Sequence, residues 1–462
     1  MLRAKFFART ALGVALAMGV AVGSATPIMA KAKVEKPKET KLSPSKAYIP
    51  VYLAAKAAID AAVKRPDVLA ARTAVVNAQA VAEGARTKKA QTEANARVAT
   101  TVTALGTLLA PEKALVEKTV AVGTTADDKE LSGQLLFGMG DMAFDPAMQR
   151  RGLQMRIESG KNTATLMPLL YAKVGSFSYE LKEYAAARAA SQKALDLGYT
   201  GTDASITIAQ SYIKDNQAPM GLKVLHDLTL KMGASAPENW FNYGVMQSYG
   251  AKLPGEAAYF GSELVSRYPS QSNWTLAIVV VRDLNQFQGL DQIDLLRLME
   301  RTRSYSESRD YVDYIQALSK RGMPGEALKI IDQGIASKML MASDQFVVDA
   351  KKESLARVAS DRASLAAQER DARGPKATVA SITAAADTML SYDQPAKAEE
   401  LYLLALAKPG VDGSKIYLRL GIAQSDQGKY ADAQASLAKV TDARAPIAQL
   451  WSSYAKAKAA GK

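Results

Sequence analysis

Cysteine is absent from all 462 residues of the chain, and histidine occurs only once. Without thiols the chain can form no disulfide, cysteine nucleophile or thiolate zinc site. A serine–histidine–aspartate triad would have to use His226, whose neighbour Asp227 projects from another side of the same predicted helix. We therefore expect no catalysis, no metal and no cofactor.

Aromatic residues are also scarce, at 7%, and long runs of valine, isoleucine and threonine are missing. Beyond residue 30, no apolar run approaches the roughly 20 residues that a membrane-spanning helix needs. The chain is rich in alanine and 48% hydrophobic, so it has enough apolar surface to fold. This composition predicts an all-α protein.

The first 30 residues have the layout of a secretory signal peptide. A basic start is followed by the apolar stretch Ala11–Val22 and then by small residues, with Ala25 and Ala30 both open as the cleavage position. The alternative is an uncleaved N-terminal anchor. Residues 31–46 are rich in lysine, glutamate and proline and are predicted to form a flexible linker. We expect a periplasmic protein that does not span the membrane once processed.

The formal net charge is +13. This charge suits a solvated surface, and it leaves open a weak attraction to acidic components of the cell envelope. No dense basic cluster is interleaved with aromatic residues, so nucleic acid is not an expected partner.

A repeated pattern is clearest near the C-terminus. Gly421 and Ala433 lie 12 positions apart, on either side of a turn at Gly428, with Tyr417 before them and Leu437 after them. This segment resembles the tetratricopeptide repeat (TPR), in which small residues let two antiparallel helices approach closely. Tyr417 and Leu437 stand where the family usually has Trp and Phe.

Similar steps of 12 or 13 residues recur along the chain, and successive repeats start 34 or 35 residues apart, or about twice that. The small residues expected at the helix–helix contacts are Gly175, Ala187, Ala209, Gly221, Gly244, Ala257, Ala327, Ala386, Ala398, Gly421 and Ala433. The pattern predicts an α-solenoid of antiparallel helix pairs over residues 127–443. A long charged helix is expected from Gln345 to Glu369, and residues 444–462 are expected to form a capping helix.

Residues 47–126 form an Ala-rich helical region, with breaks expected at Pro66, Gly84 and Pro111. Two alternatives remain for this region: degenerate repeats that continue the array, or a separate helical bundle.

The resemblance implies a concave groove, lined by the first helix of each repeat, that binds a protein or peptide. From the helical phase, the residues expected to face it are Ser176, Tyr179, Gln210, Lys214, Phe241 and Tyr249. The leading hypothesis is a periplasmic, non-catalytic scaffold or adaptor for envelope assembly, export or polysaccharide handling. The alternatives are a self-assembling structural protein and an accessory subunit of a cell-wall or glycan enzyme.

Overall fold

The computed structural model describes residues 42–461, and in this range the chain is all α-helical, without strands. The predicted signal peptide and most of the predicted linker lie outside the described residues. The helices are α1 (Tyr48–Ala62), α2 (Pro66–Gly84), α3 (Lys88–Leu108), α4 (Ala110–Val122), α5 (Ala126–Ala143), α6 (Pro146–Ser159), α7 (Met167–Glu180), α8 (Tyr184–Asp196), α9 (Thr202–Lys214), α10 (Ala218–Met232), α11 (Glu238–Gly250), α12 (Pro254–Arg267), α13 (Gln271–Asn285), α14 (Gly289–Arg301), α15 (Ser308–Arg321), α16 (Pro324–Ala336), α17 (Gln345–Ala372), α18 (Val379–Ser391), α19 (Pro395–Leu406), α20 (Gly413–Asp426), α21 (Tyr430–Leu437) and α22 (Ala445–Ala459).

Successive helices pack side by side, which confirms the predicted fold of TPR-like helix pairs. The chain divides into two compact units, one up to Val224 and one from Leu225 onward, with the boundary inside α10. The long helix expected from Gln345 to Glu369 is α17, which runs on to Ala372.

The Ala-rich N-terminal region is one long helical hairpin with a break in each arm. The first arm is α1 and α2, and the second is α3 and α4. The two arms pack along their whole length, since α2 lies on α3 and α1 on α4. At the breaks, Arg65 donates to Glu112 over 2.9 Å, and Pro66 and Pro111 open α2 and α4, where a missing N–H costs nothing. This geometry resembles neither a degenerate repeat nor a compact bundle.

A seven-residue spacing of buried side chains explains the hairpin. Along the first arm, buried residues recur at steps of six or seven residues, with Ala78 as one further buried position: Tyr48, Ala55, Ala62, Val68, Val75 and Ala82. Such a spacing keeps one narrow seam of a helix facing a single partner helix. The base of the hairpin is joined to α5, where the Tyr48 hydroxyl lies 2.9 Å from the Ser132 hydroxyl. The backbone N–H groups of Ser43 and Ser45 donate to Asp127 and Asp128, so this end of the predicted flexible linker is held in place.

The turn inside the helix pairs is the same in seven places. The residue two positions before the second helix has a positive φ, and the next N–H donates back to the carbonyl five residues earlier, as in a Schellman motif. The seven positive-φ residues are Phe144, Lys182, Asn216, Lys252, Gly322, Asp393 and Gly428. Six of these turns belong to the repeats expected from the sequence, and the seventh, at Phe144, adds the α5–α6 pair.

Two of these turns carry a lysine where glycine would be less strained. Lys182 and Lys252 are exposed, with φ of 64° and 56°. We expect Lys182→Gly and Lys252→Gly each to raise the free energy of unfolding by about 1 kcal/mol, because a Cβ is unfavourable in this conformation. Urea denaturation followed by circular dichroism measures the change. Lys214→Gly, in a helix, is the matched control and should be destabilising; a destabilised Lys182→Gly variant would contradict the expectation.

The small residues predicted at the helix contacts lie in the buried layer between helices. A Cβ placed on Gly221 would lie 2.4 Å from the Ala209 carbonyl oxygen, so only glycine fits there. Gly244 meets the Phe260 ring rather than Ala257. In the α5–α6 pair, Gly152 approaches the Gly133 carbonyl oxygen in the same way, with 2.6 Å to an added Cβ.

The second unit closes on itself. Its last helix, α22, packs on α20 and α21, as a capping helix would, but also on α12, α13 and α14. The Ser453 hydroxyl donates to the Ser262 carbonyl over 2.9 Å, and the Trp451 indole donates to the Asp294 carbonyl over 2.9 Å. Between α14 and α20, Arg301 binds Asp426 at 2.8 Å. One hydrophobic core therefore extends from α12 to α22.

Candidate partner-binding surfaces

The four groove residues predicted in the first unit lie on α7 and α9, which pack against each other. Ser176 donates to the Ala172 carbonyl over 3.2 Å, so its hydroxyl is used within its own helix. Tyr179 is half-buried against Tyr184, with 5.8 Å between ring centroids, and burial raises the pKa of its hydroxyl. Gln210 is half-buried and Lys214 is exposed. Their role in partner binding stays a prediction.

The two aromatic residues predicted as anchors, Phe241 and Tyr249, differ in accessibility. Phe241 is fully buried, with the Arg267 guanidinium 5.1 Å from its ring centroid and Tyr268 beside it. The expectation that Phe241 is open to a partner is therefore wrong, because its position on α11 faces the core. Tyr249 is exposed, and its hydroxyl lies 3.4 Å from Asp283.

The interior of the second unit holds a buried charge cluster, defined as Asp294, Arg297, Glu326, Asp387 and Arg419. Arg297 donates to both Glu326 oxygens, at 2.9 and 2.7 Å, and to Asp294 at 3.0 Å. Arg419 donates to Asp294 at 3.0 Å and to Asp387 at 3.3 Å. Two buried tyrosine hydroxyls complete the cluster: that of Tyr314 donates to Glu326 and that of Tyr402 to Asp387. The side chains come from six helices, α14 to α16 and α18 to α20.

The cluster contains two arginines and three carboxyl groups, and the carboxyl groups differ in their pKa. Burial acts to raise the pKa of Glu326, but Arg297 and the Tyr314 hydroxyl outweigh it and hold that pKa below its ordinary value. Burial raises the pKa of Asp387, because Arg419 and Tyr402 offset only part of the desolvation. The charges bind one another inside the core of the unit, so they are not available to a partner. We infer that the centre of this unit is structural.

The N-terminal hairpin carries a different surface, on the side of its first arm that faces away from the second arm. We define the open apolar face as Ile49, Leu53, Val63, Leu69 and Val76, whose side chains are 40–56% exposed. At 100° per residue, Ile49 and Leu53 of α1 and its C-cap residue Val63 lie within about 80° of one another, and the two residues of α2 within about 20°. An arm that buries one apolar seam and exposes another has room for a further helix. This face was not predicted from the sequence, because the expectation for this region rested on its alanine content and not on the spacing of its larger apolar residues.

The single histidine lies against aromatic residues of the second unit. The His226 ring stacks on Tyr259 with 3.5 Å between centroids, and its Nδ1 is 3.8 Å from Glu256. Among residues 42–461, no three histidine, aspartate or glutamate side chains gather in a way that could hold a metal ion. No helix in that range is long and apolar enough to cross a membrane.

Comparison with known proteins gives likeness of fold only. No protein-family model matches the chain, and no curated protein matches it. Among solved structures, a human IFIT1 dimer with m7Gppp-AAAA is 12% identical, with a TM-score of 0.23, over 81% of this chain and 85% of that one. Naa15/Naa10 bound to HypK-THB is 11% identical, with a TM-score of 0.25, over 87% and 70%. At TM-scores this low, the likeness adds nothing to the fold derived from the helices themselves.

Proposed function

We propose that this protein is an exported, non-catalytic scaffold of TPR-like helices, and that it holds a protein partner on the open apolar face of its N-terminal hairpin. The observation that carries the proposal is the second apolar seam on the first arm. The second unit supports it indirectly, because its buried charge cluster is satisfied by the protein's own side chains and offers no contact to a partner.

The size of the face fits a helix of a partner protein. Its five side chains expose on the order of 400 Å², about half of the 800 Å² that each side of a standard interface buries. The rest of the interface would come from the charged and polar residues along its rim. An amphipathic helix with apolar residues at helical spacing can bind such a face.

The charge of the hairpin selects among partners. Between residues 48 and 122 there are ten lysines and arginines against six acidic residues, and the whole chain carries +13. A second copy would bring the same positive charge to the interface, whereas an acidic helix would be attracted. We therefore infer an acidic amphipathic helix as the occupant. The self-assembling alternative uses the same face and becomes one outcome of the test.

The test is cross-linking in living cells. A photo-reactive amino acid at Ala57, which is exposed one helical turn after Leu53, should cross-link a protein recovered from the periplasmic fraction. Mass spectrometry should place the cross-link in an acidic amphipathic helix. Changing Leu53 and Leu69 together to glutamate should reduce the cross-link at least tenfold, because two carboxylates are buried against an acidic partner.

Leu230→Glu is the matched control, because Leu230 is an exposed leucine outside the hairpin, on α10. It should leave the cross-link unchanged. A cross-link that survives the double substitution would exclude the hairpin as the docking surface. A cross-link to a second copy of the chain, together with a dimer in light scattering at micromolar concentration, would favour self-assembly instead. Recovery only from the cytosol, with the N-terminal residues retained, would contradict export.

A further inference from the structure

A polar cavity of about 460 Å³ lies where α22 closes the second unit, between α12 on one side and α21 and α22 on the other. This volume is in the range of small-molecule sites. Hydroxyl and amide side chains from three helices line it: Ser262, Ser266, Gln434, Gln449, Ser452 and Ser453. None of its lining residues is aromatic.

One hydroxyl in this wall lacks a partner. Ser266 is 8% exposed, and its Oγ makes no hydrogen bond. A helical serine usually donates to the carbonyl four residues earlier, here that of Ser262. The Ser453 hydroxyl of α22 donates to that carbonyl over 2.9 Å, which accounts for the free hydroxyl of Ser266. An unsatisfied buried hydroxyl costs free energy, so a ligand that bonds to it is stabilised.

The charges of the wall give little preference for an ion. Glu263 is already paired with Arg267 of its own helix at 2.9 Å. Lys456 lies exposed in the wall, where solvent screens its charge. Hydroxyl and amide groups can both donate and accept, which matches the hydroxyl groups of a sugar. Large apolar ligands are excluded, because the apolar part of the wall is mostly alanine.

We propose that this cavity is a binding site for a neutral saccharide, and that the Ser266 hydroxyl is one of its contacts. The site is separate from the hairpin face and independent of whether a protein partner binds there. It also gives the closing helix a second role, since Gln449 and Ser452 of α22 form one wall of the site.

The test is isothermal titration of the purified full chain with cellobiose, maltose and N,N′-diacetylchitobiose, supported by saturation-transfer NMR. At least one disaccharide should bind. Ser266→Ala should weaken that binding about tenfold, the effect of one hydrogen bond. Without sugar, the same variant should melt at the same temperature or higher, because it removes an unpartnered buried hydroxyl. Ser248→Ala is the matched control: its hydroxyl is buried in α11 but satisfied by the Gly244 carbonyl at 2.7 Å, so sugar binding should not change.

A second variant blocks the cavity without touching the core. Gln449 is exposed at the rim, and Gln449→Trp should abolish sugar binding while the melting curve is retained. Binding that persists in this variant would place the sugar elsewhere and overturn the proposal. No binding by any of the three disaccharides, or binding only by a peptide probe, would overturn it as well.

Discussion

Trp451→Ala should lower the free energy of unfolding by about 3 to 5 kcal/mol, which is the usual cost of removing a large buried aromatic side chain. The Trp451 side chain is fully buried, and its indole N–H donates to the Asp294 carbonyl over 2.9 Å. The substitution removes both the packing and the hydrogen bond that hold α22 against α14. Urea denaturation followed by far-ultraviolet circular dichroism measures the loss without relying on tryptophan fluorescence.

The same variant distinguishes a closed unit from an open array with an ordinary cap. In the closed unit, loosening α22 should speed amide hydrogen exchange in α12, α13 and α14 as well as in α20 and α21, because α22 packs on all five. The α7–α8 pair of the first unit supplies the internal reference and should keep its exchange rates. Faster exchange confined to α20, α21 and α22 would contradict the closure.

Trp451→Phe is the conservative control. It keeps a ring in the core but removes the N–H donor, so the Asp294 carbonyl loses one hydrogen bond and the cavity left behind is small. We expect a loss of about 1 to 2 kcal/mol. A Trp451→Ala variant no less stable than Trp451→Phe would show that the indole packing contributes little.

Local features of the fold could be predicted from the sequence. Five of the six recognised repeats have a small residue seven or eight positions before the positive-φ residue, and the sixth has Ile315 there, because the first helix always ends with the same motif. Prolines at the start of α12 and α16 mark second helices in the same way. These signals lie within about 35 residues of one another, so each helix pair can be predicted from a short segment of one sequence.

The α5–α6 pair does not follow this spacing. Counting back 37 residues from Gly175 leads to Gly138, but Gly138 is exposed and a Cβ there would meet nothing within 4 Å. The close contacts come from Gly133 and Gly140 instead. These two residues lie 11 and 4 positions before the positive-φ residue Phe144, so they do not follow the spacing of the other pairs.

The closure of the second unit could not be read from spacing. It depends on pairs such as Asp294 with Arg419 and Ser262 with Ser453, which are 125 and 191 residues apart. A charged residue within a helix usually lies on the surface, and nothing near Arg419 marks it as buried. The large apolar residues of α22, Ile447, Leu450 and Trp451, lie within about 100° of one another, as in an ordinary capping helix, so the helix itself does not indicate a second partner.

Arg419→Met should lower the free energy of unfolding by about 3 to 5 kcal/mol, although methionine fills much of the same volume. Arg419 is 1% exposed and neutralises Asp294 and Asp387, which are themselves buried. Removing its charge leaves three carboxyl groups and only Arg297 in the cluster, and both Asp294 and Asp387 lose a hydrogen-bond donor. Arg370→Met, on an exposed position of α17, is the matched control and should change stability by less than about 0.5 kcal/mol.

Asp387→Asn should restore part of the stability that Arg419→Met loses. It removes one of the buried carboxylates left without a partner arginine, and the asparagine still accepts the hydrogen bond from Tyr402. The rescue should depend on pH. Because burial raises the pKa of Asp387 in the folded state, its protonated form favours folding below about pH 4, and this advantage is lost as the pH rises through the raised pKa. The stability advantage of asparagine over aspartate at position 387 should therefore increase from pH 4 to pH 7. Equal rescue at both pH values would show that Asp387 stays uncharged throughout, and no rescue would show that Arg419 acts mainly through Asp294.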